Sequence, residues 1–386
     1  MTTARQNRKL IQQLRKLGPV YDFLLHVWRW IVNTGLECLR RISPSSPRFG
    51  PARGVFSAYE QLRKGNGPGR VIFESQQVVP AGPASLRTKA GLSQQEYQPW
   101  PFFWCSWDQA RLVGRTLVAM DKEKRLCLEG VYGRHCLHLD PAYRALVLPP
   151  ALRLGGNWTS LVSQWTLSPN IYHWFLDGLP RLARLDELPA DTKILVPSTI
   201  KGYARETLLW LGLEGRYRLA GEEHLLVEHF HFTSPTAMTG CDNPYAVGFL
   251  RDAFLGRADK TFAAPKRFYI QRIGKGRGVL NETEVIAFFR DRGWGIVDPE
   301  ALTLAQQIQL YSQAETICGV HGAGFANLLW CQPKCRVIEL CADNCLNGCY
   351  EGIAQYIPLD YHYLICKGDW NYRAYVSPDE LKRIIG

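Results

Sequence analysis

The sequence has no apolar segment long enough to cross a membrane. Its most apolar window, residues 20–36, is interrupted by Asp22, His26 and Arg29, whereas a membrane-spanning helix needs about 20 mainly apolar residues. The first residues are polar and basic, with no early apolar run, so we expect no cleavable signal peptide. We therefore predict a cytoplasmic protein whose 12 cysteines are mostly free thiols.

Two further absences restrict the chemistry. No Asp-x-Asp motif occurs in the chain, which disfavours a transferase that uses this motif to hold a divalent metal on a nucleotide diphosphate. Five cysteines fall within residues 331–349, but the closely spaced CxxC pairs of a zinc ribbon are missing. Because tetrahedral sites usually need such pairs, we expect no metal site.

The composition is that of a folded, basic protein. The chain has 386 residues, of which 46% are hydrophobic, and this length is typical of two domains. The formal net charge of +11 favours polyanionic partners such as nucleic acid, anionic lipid, nucleotide phosphates or acidic glycans. Charge alone does not choose among them.

Residues 1–42 differ from the rest of the chain. Their acidic residues are Asp22 and Glu37, and their basic residues are Arg5, Arg8, Lys9, Arg15, Lys16, Arg29, Arg40 and Arg41. After residue 19, apolar side chains recur at helical spacing, which predicts a basic amphipathic helix. Such a helix suits the headgroup layer of an anionic membrane, with Trp28 and Trp30 at the interface. It equally suits docking on this chain or on a second subunit.

The remaining chain divides by its pattern. Residues 43–70 are rich in Ser, Pro and Gly and predict a linker or irregular arm. Short apolar runs separated by turn residues predict short strands up to about residue 155. From there, strand and helix patterns alternate, which is typical of parallel sheets. We therefore predict an α/β protein with domains at 71–264 and 265–386.

Capping boxes mark two helix starts in the last third. Asn281 with Glu284, and Thr303 with Gln306, have the required three-residue spacing. Each is followed by an apolar helical pattern and then by a strand pattern. The spacing therefore predicts a helix between consecutive strands of the parallel sheet.

A glycine-rich turn follows the strand predicted at 315–320. The turn is His321-Gly322-Ala323-Gly324, and a helix is predicted from Phe325. Glycines let the backbone approach a ligand closely, and the first N–H groups of a helix bind phosphate. A tight turn with packed glycines and a structural histidine would give the same pattern.

A cationic loop follows another strand of the same predicted sheet. Arg272, Lys275 and Arg277 lie among glycines after the strand at 267–272, and together they suit a diphosphate. A solvated surface loop is the alternative. Both loops leave the carboxyl ends of strands in one sheet, where such sheets bind ligands, and this favours the phosphate interpretation.

The segment 168–182 carries a possible acid–base pair. Ser168 and Pro169 predict the start of a helix, which Pro180 should kink or end. His173 and Asp177 are four residues apart and so lie on one helical face. They form a candidate general base with its orienting partner, although a surface helix with a polar side is the alternative.

Three motifs in this order resemble those of glycosyltransferase family 61. They are IYHWFLDGLPRL (171–182), YIQR (269–272) with the later Arg277, and VHGAGFANLL (320–329). The similarity covers about 155–365, and nothing recognisable precedes it. The resemblance is to bacterial members associated with capsule or lipopolysaccharide assembly.

The resemblance implies a fold and an activity. The fold would be GT-B-like, with an acceptor-side Rossmann-like domain at 71–264 facing a nucleotide-sugar domain at 265–386 across a cleft. The activity would be inverting, metal-independent transfer of a hexosyl or pentosyl group. A UDP-sugar would be the donor, with no further cofactor, and a glycan or lipid-linked hydroxyl would be the acceptor. The resemblance does not cover residues 1–42, whose amphipathic pattern suits a peripheral position on the inner face of the cytoplasmic membrane or docking on protein.

The resemblance also implies residue roles. We assign Asp177 as general base with His173 orienting it, and the reverse assignment stays open. The implied donor-binding residues are Arg272, Arg277, His321, Gly322, Ala323, Gly324, Asn327 and Glu339. The arginines and the turn would stabilise charge on the leaving diphosphate, and Glu339 would accept hydrogen bonds from ribose hydroxyls.

Two rival functions remain. A catalytically inactive nucleotide- or sugar-binding protein of the same fold would keep the glycine turn without turnover. A nucleic-acid-binding protein is suggested by charge alone, and the chain has no recognition motif for that role. We therefore expect no nucleic-acid partner.

Overall fold

The computed structural model describes three parts of the chain. These are residues 23–35 without 25, 29 and 33; residues 52–74; and residues 100–385 without 133–136, 138–139, 146–147, 237–241, 273 and 275. The described residues form two β-sheets flanked by helices. The predicted α/β class is therefore confirmed.

The first sheet has nine strands in mixed orientation. They are β1 (Gly54–Phe56), β2 (Gly69–Phe73), β3 (Phe102–Gly114), β4 (Val118–Met120), β5 (Arg125–Cys127), β6 (Leu152–Ser160), β7 (Lys193–Pro197), β8 (Tyr217–Ala220) and β9 (Glu223–Thr233). Their order is β1-β5-β4-β3-β9-β6-β7-β8, with β2 paired to β3. Strands β9, β6, β7 and β8 are parallel neighbours, as in half of a Rossmann fold.

The second sheet has six strands. They are β10 (Arg267–Ile270), β11 (Gly295–Val297), β12 (Thr316–Val320), β13 (Arg336–Ala342), β14 (Asp360–Gly368) and β15 (Ala374–Tyr375). Their order is β11-β10-β12-β13-β14-β15, and all pairs are parallel except the last. The parallel sheet predicted for the last third is confirmed. The chain reverses direction across the sheet between β10 and β12, and such a switch point is where open parallel sheets bind ligands.

Helices connect most of these strands. The α-helices are α1 (Ala58–Arg63), α2 (Pro141–Arg144), α3 (Ile171–His173), α4 (Gly202–Trp210), α5 (Pro244–Phe254), α6 (Glu282–Arg290), α7 (Leu304–Ser312), α8 (Glu351–Tyr356) and α9 (Pro378–Ile385). The 3₁₀ turns are Glu129–Val131, Leu179–Leu182, Leu185–Glu187, Leu255–Arg257, Pro299–Ala301 and Ala323–Trp330. The capping box of Thr303 and Gln306 is formed at the start of α7.

The helix predicted at 169–186 is irregular. Asn170, not Ser168, caps α3, because its side chain accepts a hydrogen bond from the backbone N–H of Tyr172. The chain then continues through a π-helical segment, Trp174–Gly178, into a 3₁₀ turn. Pro180 has no N–H to donate to the carbonyl four residues earlier. The Thr236 hydroxyl donates to that Leu176 oxygen instead.

Two other sequence predictions need correction. The described part of the predicted linker 43–70 belongs to the first sheet, because β1 pairs with β5 and β2 pairs with β3. Asn281 precedes α6 but does not cap it. Its side-chain oxygen accepts from the N–H of Val376, and its amide donates to the Val376 carbonyl and to Glu284. A tertiary contact has replaced the local one.

The described residues between 23 and 35 are helical. Their large apolar side chains are exposed: Phe23, Leu24, Val27, Trp28, Trp30 and Ile31. Among the described residues, no docking of this apolar side on the same chain is therefore seen. No helix among the described residues is long and apolar enough to cross a membrane. The rest of the predicted segment 1–42 lies outside the described residues.

One apolar core joins the two sheets. Phe175, beside the first sheet, meets Trp330, beside the second, with ring centroids 5.4 Å apart. Phe254 from α5 lies on the same indole at 6.3 Å. The buried cluster contains residues from both sheets. Because buried side chains are closely packed, it holds the two sheets in a defined position relative to each other.

Candidate functional site

A cavity of about 700 Å³ lies where the two sheets meet. From the first sheet it is lined by residues that follow β6 and β7, within 168–171 and 201–206. From the second it is lined by residues within 270–272, 298–307 and 320–327, which follow β10, β11 and β12. Carboxyl ends of parallel strands from both sheets therefore open onto one space, which has the size of a small-molecule site.

The glycine-rich turn presents its amide groups to this cavity. Three side chains donate hydrogen bonds to backbone carbonyl oxygens of the turn. Arg272 donates to His321 (3.1 Å), Tyr350 to Gly322 (2.7 Å) and Tyr311 to Gly324 (3.0 Å). Gly322, Ala323 and Gly324 line the cavity at the start of the 3₁₀-helix 323–330. Their N–H groups have no earlier carbonyl in that helix to bond to, so this turn is suited to an anion.

Arg272 lies directly on Gly322. A Cβ atom placed on Gly322 would be 1.4 Å from Arg272 Nη1, so the guanidinium occupies space that only glycine leaves free. The buried Nε–H of Arg272 has no hydrogen-bond partner in the described structure. Arg272 is also a lining residue of the cavity, and a buried donor without a partner costs free energy.

Arg277 adds a second positive charge near Arg272. Burial lowers the pKa of Arg272, and the charge of Arg277 lowers that pKa further. Arg277 itself contacts the Cys345 sulfur at 3.7 Å. The charges of Glu300 and Glu282 act on the pKa of Arg272 in the opposite direction. A bound anion would relieve the mutual repulsion of the two arginines. Lys275, the third predicted cation, lies outside the described residues.

Glu339 holds His321 rather than facing the cavity. It is completely buried, and its Oε1 accepts a hydrogen bond from His321 Nδ1 at 2.5 Å. The Tyr361 hydroxyl donates to the other oxygen. Oε1 therefore orients the imidazole, and both carboxylate oxygens already have protein partners, so this position does not suit the ribose contact expected from the sequence.

Asn327 also serves the turn. Its amide donates to Gln307 Oε1 at 2.9 Å, and its carbonyl accepts from the Trp330 indole at 3.0 Å. The residue lines the cavity, but its polar atoms already have protein partners. Its role in the structure is to fix the 3₁₀-helix behind Gly324.

His173 and Asp177 form the predicted pair. Nδ1 of His173 lies 2.7 Å from Asp177 Oδ2, and the imidazole stacks on Trp165 at 5.1 Å. Asp177 is almost completely buried, whereas the His173 side chain is 13% exposed. Burial raises the pKa of Asp177, and the hydrogen bond and charge of His173 oppose that rise. Neither side chain lines the large cavity, which Asn170 and Ile171 reach.

Aromatic rings connect the two histidine motifs. Tyr172 contacts the ring of His173 at 5.5 Å and that of Tyr350 at 5.7 Å. Tyr350 in turn lies 5.3 Å from the ring of His321. The first and third sequence motifs are therefore neighbours in space. Sequence reasoning missed Tyr350 because no local pattern distinguishes it, and only its contact with Gly322 reveals its position.

Residues 171–338 match the family model Glycosyltransferase 61. The matched span contains all three sequence motifs, both histidines and the cationic loop. Over this span the chain is similar to the glycosyltransferases of that family. A comparison with curated proteins found no match to the chain.

The segment that matches the family model does not contain the whole candidate site. Glu339, Tyr350 and Tyr361 follow it, yet they hold His321 and Gly322 in place. The described cysteines are free thiols, including those at 331–349. Within the described ranges no three His, Cys, Asp or Glu side chains are grouped so that they could hold a metal ion.

Proposed function

We propose that the protein is an inverting glycosyltransferase that moves a sugar from a nucleotide-sugar donor to an acceptor hydroxyl. One observation carries the proposal. The 700 Å³ cavity joins the carboxyl ends of both sheets, and a glycine turn lies at its wall together with Arg272, whose Nε–H has no partner among the described residues. A diphosphate suits this wall, because N–H donors and guanidinium groups both stabilise phosphate charge.

The donor would lie against the second sheet in a GT-B-like arrangement. Its diphosphate would contact the N–H groups of residues 322–324 together with Arg272 and Arg277. Charge grows on the diphosphate as the glycosidic bond breaks, so these groups would bind the transition state more strongly than the ground state. His321, held by Glu339, would present its Nε2 near the same charge. We propose a UDP-sugar as donor and no resident metal or cofactor.

The His173–Asp177 pair would act on the acceptor. Asp177 is buried and bonded to Nδ1, so the more exposed imidazole is the better placed base, with the carboxylate orienting it. The acceptor oxygen would attack the anomeric carbon and its proton would pass to His173 Nε2. The bond from the anomeric carbon to the diphosphate oxygen would break on the opposite face, and the configuration would invert. This is the second of the two assignments that the sequence left open.

Acceptor, sugar and setting belong to the same proposal. We propose a hexosyl or pentosyl group as the sugar and a glycan or lipid-linked hydroxyl as the acceptor, in bacterial capsule or lipopolysaccharide assembly. This part of the proposal derives from the motif resemblance. A catalytically inactive binding protein of the same fold is the competing proposal, and turnover decides between the two.

The test of the proposed function compares two histidine–aspartate pairs. His173→Gln and Asp177→Asn should each lower turnover on the order of 100-fold or more, while thermal-shift measurements still detect nucleotide binding. The matched control is His229→Gln, because His229 bonds to Asp108 at the same 2.7 Å on the surface. Turnover close to wild type in both test variants would remove the pair from the mechanism.

We also propose that the exposed helix between 23 and 35 lies on an anionic membrane on the cytoplasmic side. Six large apolar side chains are exposed there, and residues 1–42 carry eight basic against two acidic residues. Apolar burial and attraction to anionic lipid act together in such helices. A lipid-linked acceptor would then be within reach of the enzyme.

Vesicle sedimentation tests the membrane proposal. Trp30→Glu should reduce binding to vesicles that contain anionic lipid, because a charge replaces an interfacial ring. Trp370→Glu is the control, since that indole is 84% exposed in the second half of the chain. Equal sedimentation of wild type, both variants and a chain lacking residues 1–42 would contradict membrane binding. A dimer that dissociates in Trp30→Glu would indicate subunit docking instead.

A further inference from the structure

The large cavity is polar in two different ways. The wall at Arg272 and Gly322–Gly324 offers N–H donors and positive charge. Another part of the lining comes from α4 and from the segment after β11, and it carries the carboxylates of Glu206 and Glu300. A phosphate is attracted to the first part and repelled by the second. A ligand that fills the space should therefore be anionic at one end and neutral but polar at the other.

Glu206 has no hydrogen-bond or ion-pair partner among the described residues. The structure records no hydrogen bond or salt bridge for it, whereas Asp298 accepts from the Glu300 N–H at 3.1 Å. Burial raises the pKa of the Glu206 carboxyl. Lys201 also lines the cavity, but within the described residues it forms no ion pair with Glu206. The carboxylate is therefore partly desolvated and uncompensated, which costs free energy unless a ligand donates to it.

Tyr203, one turn earlier on α4, has complementary chemistry. It lines the same cavity, and burial together with the charge of Glu300 raises its pKa to about 12. The phenol therefore stays protonated at neutral pH. A protonated hydroxyl beside a carboxylate can donate to and accept from a pair of adjacent hydroxyl groups on a ligand.

We infer that Glu206 is a hydroxyl-binding residue of this cavity, which accepts hydrogen bonds from vicinal hydroxyl groups of the ligand. These hydroxyls belong either to the ribose or to the transferred sugar of the donor. The inference rests on the proposed function and deepens it, because it names the residue that binds the uncharged, hydroxyl-bearing end of the donor. A carboxylate suits this task because a hydroxyl donates a stronger hydrogen bond to a charged acceptor than to a neutral one.

Calorimetric titration of the full chain tests the inference. A first titration selects the nucleotide that binds most tightly among UDP, GDP, ADP and CDP. The three probes are then this nucleotide, its 2′-deoxy form and its glucose conjugate. Glu206→Gln keeps the shape and removes the charge, and Glu214→Gln, an exposed carboxylate just after α4, is the control. Because no described residue bonds to the Glu206 carboxylate, its variant should keep the wild-type thermal midpoint.

The probes distinguish the two sources of hydroxyls. If Glu206 binds the ribose, Glu206→Gln should weaken the nucleoside diphosphate about tenfold, and the 2′-deoxy probe should show no further loss. If it binds the transferred sugar, only the glucose conjugate should weaken by about this factor. Glu214→Gln should leave every affinity unchanged.

Other results overturn the inference in separable ways. Wild-type affinities for all probes in Glu206→Gln, with binding lost in Arg272→Gln, would overturn the role of Glu206 and leave the proposed function standing. Tighter binding of the diphosphates to Glu206→Gln would mean that the carboxylate only repels phosphate. Absence of nucleotide binding in the wild-type chain would overturn the proposed function and the inference together.

Discussion

Among single residues, Gly322 is the one whose missing side chain matters most for the site. The guanidinium of Arg272 occupies the place of its Cβ, and its carbonyl accepts the Tyr350 hydroxyl. The motif marked this glycine as a ligand-approach residue. In the structure its neighbour is the Arg272 guanidinium, which likewise fits only because Gly322 has no side chain.

Gly322→Ala should lower kcat on the order of 100-fold, because the added methyl displaces Arg272 from the charge it would stabilise. Steady-state kinetics and nucleotide titration measure the effect. Gly324→Ala is the control, since its Cβ would meet only ordinary contacts at 3.6–4.0 Å. Equal activity of the two variants would contradict the role given to Arg272.

Tyr350→Phe should weaken nucleoside diphosphate binding roughly tenfold, because the Gly322 carbonyl loses its partner and the turn can rotate. The ring contacts with Tyr172 and His321 remain, so the thermal midpoint should change little. Tyr372→Phe, half exposed, is the control. A large loss of stability with unchanged binding would show that the hydroxyl supports the fold rather than the turn.

Asp177 gives a pH prediction. Burial raises the pKa of its carboxyl in the native state, so the native protein binds this proton more tightly than the unfolded chain. The resulting stability is complete below the unfolded pKa, near 3.9, and is lost as the pH rises through the native value. The free energy of unfolding of wild type relative to Asp177→Asn should therefore fall above about pH 4. Urea unfolding at stepped pH measures it, and a rise would contradict the prediction.

Among elements, the starts of two helices show whether residues nearby in sequence or tertiary contacts determine the cap. The capping box of Thr303 and Gln306 formed as predicted because both partners lie within one turn. Asn281 had the same spacing, but Val376 bonds to its side chain. The sequence predicted short strands in the region of β3, whereas this strand has 13 residues. The alternation of buried and exposed side chains along β3 is interrupted around Gln109, whose φ is 53°. The strand pairs with its neighbours β2, β4 and β9.

Thr303→Ala should lower the free energy of unfolding by about 1 kcal/mol, because one N-cap hydrogen bond of α7 is lost. Chemical denaturation measures this change. Thr303→Ser keeps the capping oxygen and should recover most of the loss. If serine were as destabilising as alanine, the methyl group rather than the cap would be responsible.

For the whole molecule, the shared core implies that both sheets unfold together. Trp330→Ala should cost roughly 3–5 kcal/mol, because its indole contacts Phe175 on one side and Phe254 on another. Fluorescence and circular dichroism should give coincident urea transitions in wild type and variant. Trp330→Phe, which keeps an aromatic ring, should lose less. Two separate transitions in the wild-type protein would contradict a common core.

The sequence by itself determined the parallel second sheet, the glycine turn after β12 and the pairing of His173 with Asp177. Each of these depends on residues close in sequence or on a regular strand–helix alternation, so short-range physics suffices. The tertiary structure alone decided that Glu339 faces His321, that Tyr350 holds Gly322, and that β1 and β2 complete the first sheet. Those contacts join segments far apart in the chain, and their energies depend on burial, which no local pattern encodes.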